Sequence, residues 1–266
     1  MPVHMSNSLS QSQPFSSASI LGVRVDRLSQ RETLEQINQL IIQYREGDGH
    51  IRCQQVVTVN TEFIMEAQHN TIFRQCINQA TLAVADGMGV VWATRLLGTP
   101  VPERVTGTDT LVALAQLCAD KGYVLYLLGA APGVAEAAGE RLQQLAPGLH
   151  IAGCFAGSPS PQDEDEIIEH IRVAQPDIVC VAYGAPAQEL WIRRNLSRIS
   201  AAVAIGVGGA YDFLSGRRPR APRLMQRAGL EWLYRLYREP WRWRRMLAIP
   251  RFMLLIVIKG RKKNDS

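Results

Sequence analysis

Between Ile20 and Ile205 six short runs rich in β-branched and apolar residues alternate with longer stretches of helical periodicity, and that alternation is the strongest constraint on the fold. The strand runs are Gln55–Val59, Leu82–Ala85, Val124–Leu128, His150–Cys154, Asp177–Ala182 and Ala202–Val207. Helices are expected at Arg31–Tyr44, Thr61–Asn70, Gly89–Leu97, Asp109–Lys121, Gly133–Leu145, Gln162–Ala174 and Ala187–Leu196. The strand runs are almost continuously apolar, not alternating, as a parallel sheet requires when helices cover both of its faces. The expected fold is therefore α/β: an open, mostly parallel sheet with helices on both sides, over residues 20–216.

Past Gly216 the pattern changes. Arg217–Ser266 holds fifteen of the 29 Lys and Arg residues against three acids, a local balance of +12, while the preceding residues sum to −7. Leu224–Ala248 reads as helical, with Pro240 expected to start a second helix. On a helix continued through that proline, Trp232, Leu236, Trp243 and Leu247 fall within about 60° of one another, and Arg235, Arg238, Arg242 and Arg245 within about 80° on another side. Residues 217–266 thus form a basic amphipathic appendage suited to an anionic partner: lipid headgroups, a diphosphate or nucleic acid. Its longest apolar run, Phe252–Ile258, has seven residues. A bilayer span needs about 20, so the chain is expected to lie on a membrane, not cross it.

Residues 1–19 are rich in Ser, Gln and Pro and read as a disordered leader without a signal-peptide core. The five cysteines are scattered without a CxxC pair, which fits reduced thiols and a cytoplasmic setting. No histidine spacing suggests zinc. Asp163-Glu-Asp-Glu166 resembles a metal-holding DxD, but it opens a helix, where acids favour the dipole; no metal site and no cofactor are expected.

Polar residues cluster where strands end, the edge at which open α/β sheets bind ligands. Thr58 and Asn60 close the first strand run, and Asn60 reads equally as a helix cap. Asp86 leaves an apolar strand into Gly87-Met-Gly89, as either a reactive carboxylate or a turn aspartate. Leu128-Gly129-Ala-Ala-Pro-Gly133 carries a strand through glycines into a helix, an arrangement suited to phosphate. Tyr183–Glu189 and Gly206–Asp212 repeat the theme, with Gln188, Gly208 and Gly209 as candidate ligand contacts. Gln188 reads equally as a solvated glutamine at a helix start.

In order along the chain, Thr58-Val-Asn60, Ala85-Asp-Gly-Met-Gly-Val-Val-Trp92, Pro102-Glu-Arg-Val-Thr-Gly-Thr-Asp109, Leu128-Gly129, Gly184-Ala-Pro-Ala-Gln-Glu189, Ala204-Ile-Gly-Val-Gly-Gly-Ala210 and Arg220-Ala-Pro with Gly229-Leu-Glu-Trp-Leu-Tyr-Arg235 resemble the WecG/TagA/CpsF family of bacterial glycosyltransferases. The resemblance covers about Ile20 to Phe252. It implies a Rossmann-like α/β body with a C-terminal appendage, and transfer of N-acetylmannosamine or a related hexose from a UDP-sugar. The implied acceptor is undecaprenyl-diphosphate-linked N-acetylglucosamine at the inner face of the plasma membrane, in synthesis of a cell-surface polysaccharide or teichoic acid. It puts the catalytic base on Asp86, active-site partners on Thr58, Arg104 and Gln188, and the appendage arginines on Arg235, Arg242 and Arg245.

The chemistry agrees with that resemblance. A carboxylate at Asp86 would take the acceptor hydroxyl's proton as its oxygen attacks the anomeric carbon, a single inverting displacement. Arginine forks would stabilise the departing UDP. Ala187 stands where the family motif has lysine, and Ala85 where proline is common, departures that bear on the choice of donor sugar. Nucleic-acid binding, nucleotide-dependent redox chemistry and a non-catalytic membrane scaffold compete. The first lacks any helix-turn-helix, RNP or zinc pattern, and the second lacks GxGxxG. The appendage's apolar stripe would suit lipid, the body itself or a second subunit of a homo-oligomer.

Overall fold

The computed structural model describes residues 15–47, 51–222, 224–225, 229–240, 243 and 247–264, the side chains of 235 and 259–264 excepted. All six expected strand runs form strands: β3 (Gln54–Val59), β4 (Leu82–Ala85), β5 (Val124–Gly129), β6 (His150–Phe155), β7 (Ile178–Ala182) and β8 (Val203–Gly206). They lie in one eight-stranded sheet of order β1-β2-β4-β3-β8-β7-β5-β6. Every neighbouring pair is parallel except the first.

That first pair is an addition to the expected fold. Strands β1 (Ser17–Ile20) and β2 (Val23–Asp26) form an antiparallel hairpin, so Ser17–Ser19 belong to the sheet and not to a leader. The rest of that proposed leader, residues 1–14, lies outside the described residues. The two-residue turn places Leu21 at φ 50° and Gly22 at φ 82°, the left-handed geometry that hairpins of this length favour. The buried Asp26 carboxylate fastens the hairpin to β4 by accepting the Ala83 N–H at 2.7 Å. Burial pushes Asp26 up to about 6 against the pull of Arg24, 3.3 Å away.

Helices cover both faces. Helices α1 (Gln30–Glu46), α5 (Gly107–Lys121), α6 (Val134–Leu145) and α9 (Ala210–Leu214) pack on one side. On the other lie α2 (Thr61–Glu66), α3 (Thr71–Asn78), α4 (Met88–Leu96), α7 (Glu164–Ala174) and α8 (Ala187–Asn195). This explains the strands' continuous hydrophobicity. In β7, Ile178 and Cys180 enter one core while Val179 and Val181 enter the other. All five cysteines are free, four of them buried.

From β3 the chain proceeds to β4 on one side, whereas β5 to β8 are laid down on the other. A crevice opens where the winding changes direction, at the carboxyl ends of β4, β3 and β8. The C-terminal segment contributes α10 (Glu231–Arg238) and α11 (Ala248–Asn264). Helix α10 ends at Arg238, so the apolar stripe drawn through Pro240 on one continuous helix does not hold; proline acts as a boundary. Helix α11 lies on α2 and α4 and buries Phe252 and Ile256, leaving Leu254, Leu255, Val257 and Ile258 exposed. Among the described residues no helix is long and apolar enough to cross a membrane.

Candidate active site

The crevice is lined by Thr58, Asn60, Asp86, Thr106–Thr108, Gly184, Gln188, Gly208, Gly209, Arg220 and Glu231, among others. Asp86 is the first residue beyond β4. Its N–H donates to the Val59 carbonyl at 2.7 Å, extending the β3–β4 pairing and carrying the carboxylate over the sheet edge. Gly87 follows at φ 102°, a conformation that lets the chain turn abruptly into α4. Thr58 is nearly buried, its hydroxyl 3.4 Å from the Gly206 carbonyl oxygen. Asn60 lines the crevice and also caps α2, its Oδ1 accepting the Phe63 N–H at 3.0 Å.

Positive charge and a helix dipole share the crevice with the carboxylate. Helix α5 starts at Gly107 with Thr106 as its cap and points its N-terminus into the crevice, a favourable environment for phosphate. Arg220 forms a fork with Asp109 at 2.7 and 3.0 Å. That fork, with Glu231 and Asp86 nearby, raises its pKa above the ordinary arginine value and keeps it charged. Arg104 donates to Glu231 at 2.6 Å, and Glu231 also stands 3.8 Å from Arg220. Glu231 is the first residue of α10, so its carboxylate fastens the appendage to the crevice.

Two of the expected ligand contacts carry structural roles. Gln188 is 2% exposed; its Oε1 accepts N–H groups from Gly184 at 3.0 Å and Gly208 at 3.1 Å, and its Nε2 donates to Glu189 at 2.6 Å. The carboxamide therefore braces the loops after β7 and β8, and is not a solvated helix-start side chain. Gly129 is not among the crevice residues. It sits at φ 99°, and a Cβ there would lie 2.8 Å from the Ala182 carbonyl carbon, so glycine is required for the strands to approach. Gly208 and Gly209 do line the crevice.

Arg235 lies in α10, one turn beyond Glu231; its side chain, Arg242 and Arg245 fall outside the described residues. In the acidic run, Glu164 pairs with Arg194 of α8 at 2.7 Å and Asp165 with Arg198 just beyond that helix, tying the start of α7 to this segment away from the crevice. Among the described residues no His, Cys, Asp and Glu group is arranged to hold a metal ion. Thr106, Thr108, Arg220 and Glu231 are crevice residues that no strand end or glycine turn marks in the sequence; all four fall within the motif runs that carry the family resemblance.

Fold and crevice together define a class: an α/β protein that gathers a carboxylate, an arginine and glycine turns in a crevice at the carboxyl edge of its sheet. The chain belongs to the WecG/TagA/CpsF family of glycosyl transferases, whose family model matches residues 18–266. It is similar to N-acetylglucosaminyldiphosphoundecaprenol N-acetyl-beta-D-mannosaminyltransferases from several organisms. The one from Bacillus spizizenii is 37% identical over 202 residues, covering 76% of this chain and 78% of the relative. The Bacillus subtilis protein is 34% identical, over 78% and 80% of the two chains. The Staphylococcus aureus protein (strain MW2) is 32% identical, over 91% and 93%. The protein is thus a glycosyltransferase.

The Glu231 contacts make a prediction. Glu231→Ala releases Arg104 and loosens α10, and is expected to lower kcat/KM by about 100-fold, the cost of misplacing groups by an ångström or so. Arg104→Ala in the same background should add little, because both changes break one contact. Steady-state rates for the two single variants and the double variant check this; simple additivity would mean that the pair does not act as a unit.

Proposed function

We propose that this glycosyltransferase moves N-acetylmannosamine, or a closely related hexose, from a UDP-sugar to an undecaprenyl-diphosphate-linked N-acetylglucosamine, with inversion. The observation that carries the reading is the position of Asp86 at the end of β4, in the same crevice as Arg220 and the N-terminus of α5. The acceptor hydroxyl gives its proton to the Asp86 carboxylate while its oxygen bonds to the anomeric carbon. The bond from that carbon to the β-phosphate oxygen breaks, and UDP leaves with the electron pair. Arg220, the α5 N-terminus and the appendage arginines Arg235, Arg242 and Arg245 offset the charge that develops. Thr58, Asn60, Gly208 and Gly209 shape the space for substrate, and Gln188 holds the glycine loops in place.

In this reading residues 17–216 form the catalytic body and residues 217–266 the appendage that closes over the diphosphate and seats the enzyme on anionic lipid. Juxtamembrane bases contribute about 1 kcal/mol each at such a surface. A site on the inner membrane face follows from a nucleotide donor and a lipid-linked acceptor. The relatives' names support the acceptor and the sugar. The test is release of UDP from UDP-N-acetylmannosamine with and without the lipid-linked acceptor. Acceptor-dependent release is expected; silence with this and every other UDP-hexose would remove the proposal.

A further inference from the structure

A second space of about 480 Å³ adjoins the crevice, between α2 and the start of α11. That volume falls within the range of small-molecule sites. Phe63, Met65, Phe73 and Pro186 line it, and the Phe63 and Phe73 rings meet edge to face at 5.4 Å, a firm apolar floor. Ala248 of α11 forms part of the opposite wall, and Arg251 stands at its edge. Of the acids on the rim, Glu66 is engaged by His69 and Asn70, each at 3.1 Å.

Glu62, Phe63 and Ala185 line both this groove and the crevice that holds Asp86, so the two spaces lie side by side and share these residues as a common border. The wall that closes the groove is the helix whose exposed side carries Leu254, Leu255, Val257 and Ile258. A ligand extending from the crevice along the groove would thus leave the sugar-transfer chemistry, pass over an apolar floor and emerge beside an apolar helix surface. A sugar-diphosphate with a hydrocarbon chain has this sequence of properties.

We infer that the groove between α2 and α11 binds the first isoprene units of the acceptor's polyprenyl chain. The inference rests on the proposed function and adds a lipid subsite to it. Apolar burial along the groove lowers the acceptor's KM, while the sugar and diphosphate ends are recognised in the crevice.

The test uses three N-acetylglucosamine diphosphates, carrying a short alkyl, a farnesyl or an undecaprenyl chain, with the full-length enzyme. From short alkyl to farnesyl, KM is expected to fall by about tenfold or more, the effect of burying a few methylenes. From farnesyl to undecaprenyl it should change little, because the groove holds only the first units. Ala248→Trp fills the groove and should erase the farnesyl advantage, leaving the donor KM and the short-alkyl KM as in wild type. Equal wild-type KM values for short-alkyl and farnesyl acceptors would overturn the inference, whether or not the variant folds. An equal rise for both acceptors in Ala248→Trp would do the same. A change in oligomeric state in that variant would assign the groove to a second copy of the chain instead. Wild-type transfer to the short-alkyl acceptor keeps the proposed function standing in all these cases; transfer to no acceptor would end both.

Discussion

Asp86→Asn is expected to lower kcat by about a thousandfold, the middle of the range for a general base. Asparagine keeps the shape and the hydrogen-bonding reach of aspartate but cannot take a proton from an attacking hydroxyl. The surroundings make the comparison clean. Asp86 follows β4 in a backbone position fixed by its own N–H to Val59, which the substitution leaves intact. Arg220 retains its fork to Asp109, so the crevice's cation stays in place. Removing one of the carboxylates around Arg220 also makes the crevice less negative, so affinity for UDP should hold or rise. A base therefore predicts a collapse in kcat with donor binding unimpaired. A carboxylate that only holds a ribose hydroxyl predicts the opposite split: a raised donor KM at nearly unchanged kcat. Steady-state kinetics with UDP binding measured by calorimetry separates the two.

The parts of the fold that were legible in sequence are those written in side-chain type. Apolar runs such as Ile178–Ala182 can be read because both faces of their strands are covered. The β1–β2 hairpin is hidden in the sequence for two physical reasons. Its first strand alternates serine and apolar residues over only four positions, and its left-handed turn uses Leu21-Gly22, without the Asn-Gly that normally announces one. Helix α3 is hidden because Asn70, the expected end of the helix that begins at Thr61, is the cap of the next one, accepting the Phe73 N–H at 3.0 Å. At the site, strand-end position singled out Asp86, Thr58 and Gly208 because sheet geometry alone delivers them to the carboxyl edge. Arg220 and Glu231 reach that edge across more than a hundred residues of chain to meet Asp109 and Arg104, and no local spacing encodes such a contact. Gln188 shows the reverse case. Its position was visible, but whether a carboxamide faces ligand or braces two loops depends on where Gly184 and Gly208 place their N–H groups.

The brace itself makes the remaining prediction, and its sign is set by burial. Glu189 is fully buried beneath Gln188, and among the described residues its Oε2 has no hydrogen-bond partner. Burial pushes its carboxyl up to about 8, against the lowering effect of the Gln188 hydrogen bond. The folded protein thus holds Glu189 protonated at neutral pH, whereas in the unfolded chain the same group ionises near 4.5. Between those two values the unfolded state binds fewer protons than the folded one, so stability falls as pH rises and levels off above about 8. The loss attributable to this one group is on the order of a few kcal/mol across the window. Glu189→Gln has the shape of the protonated acid: its Oε1 still accepts from Gln188, and its amide replaces an oxygen that lacked a partner. The variant should match wild type near pH 4.5 and exceed it by a few kcal/mol at pH 8 and above. Urea unfolding of both proteins at a series of pH values measures the difference directly. Two parallel stability curves would mean that Glu189 is ionised in the folded protein, and that an uncharged brace does not hold the glycine loops around the crevice.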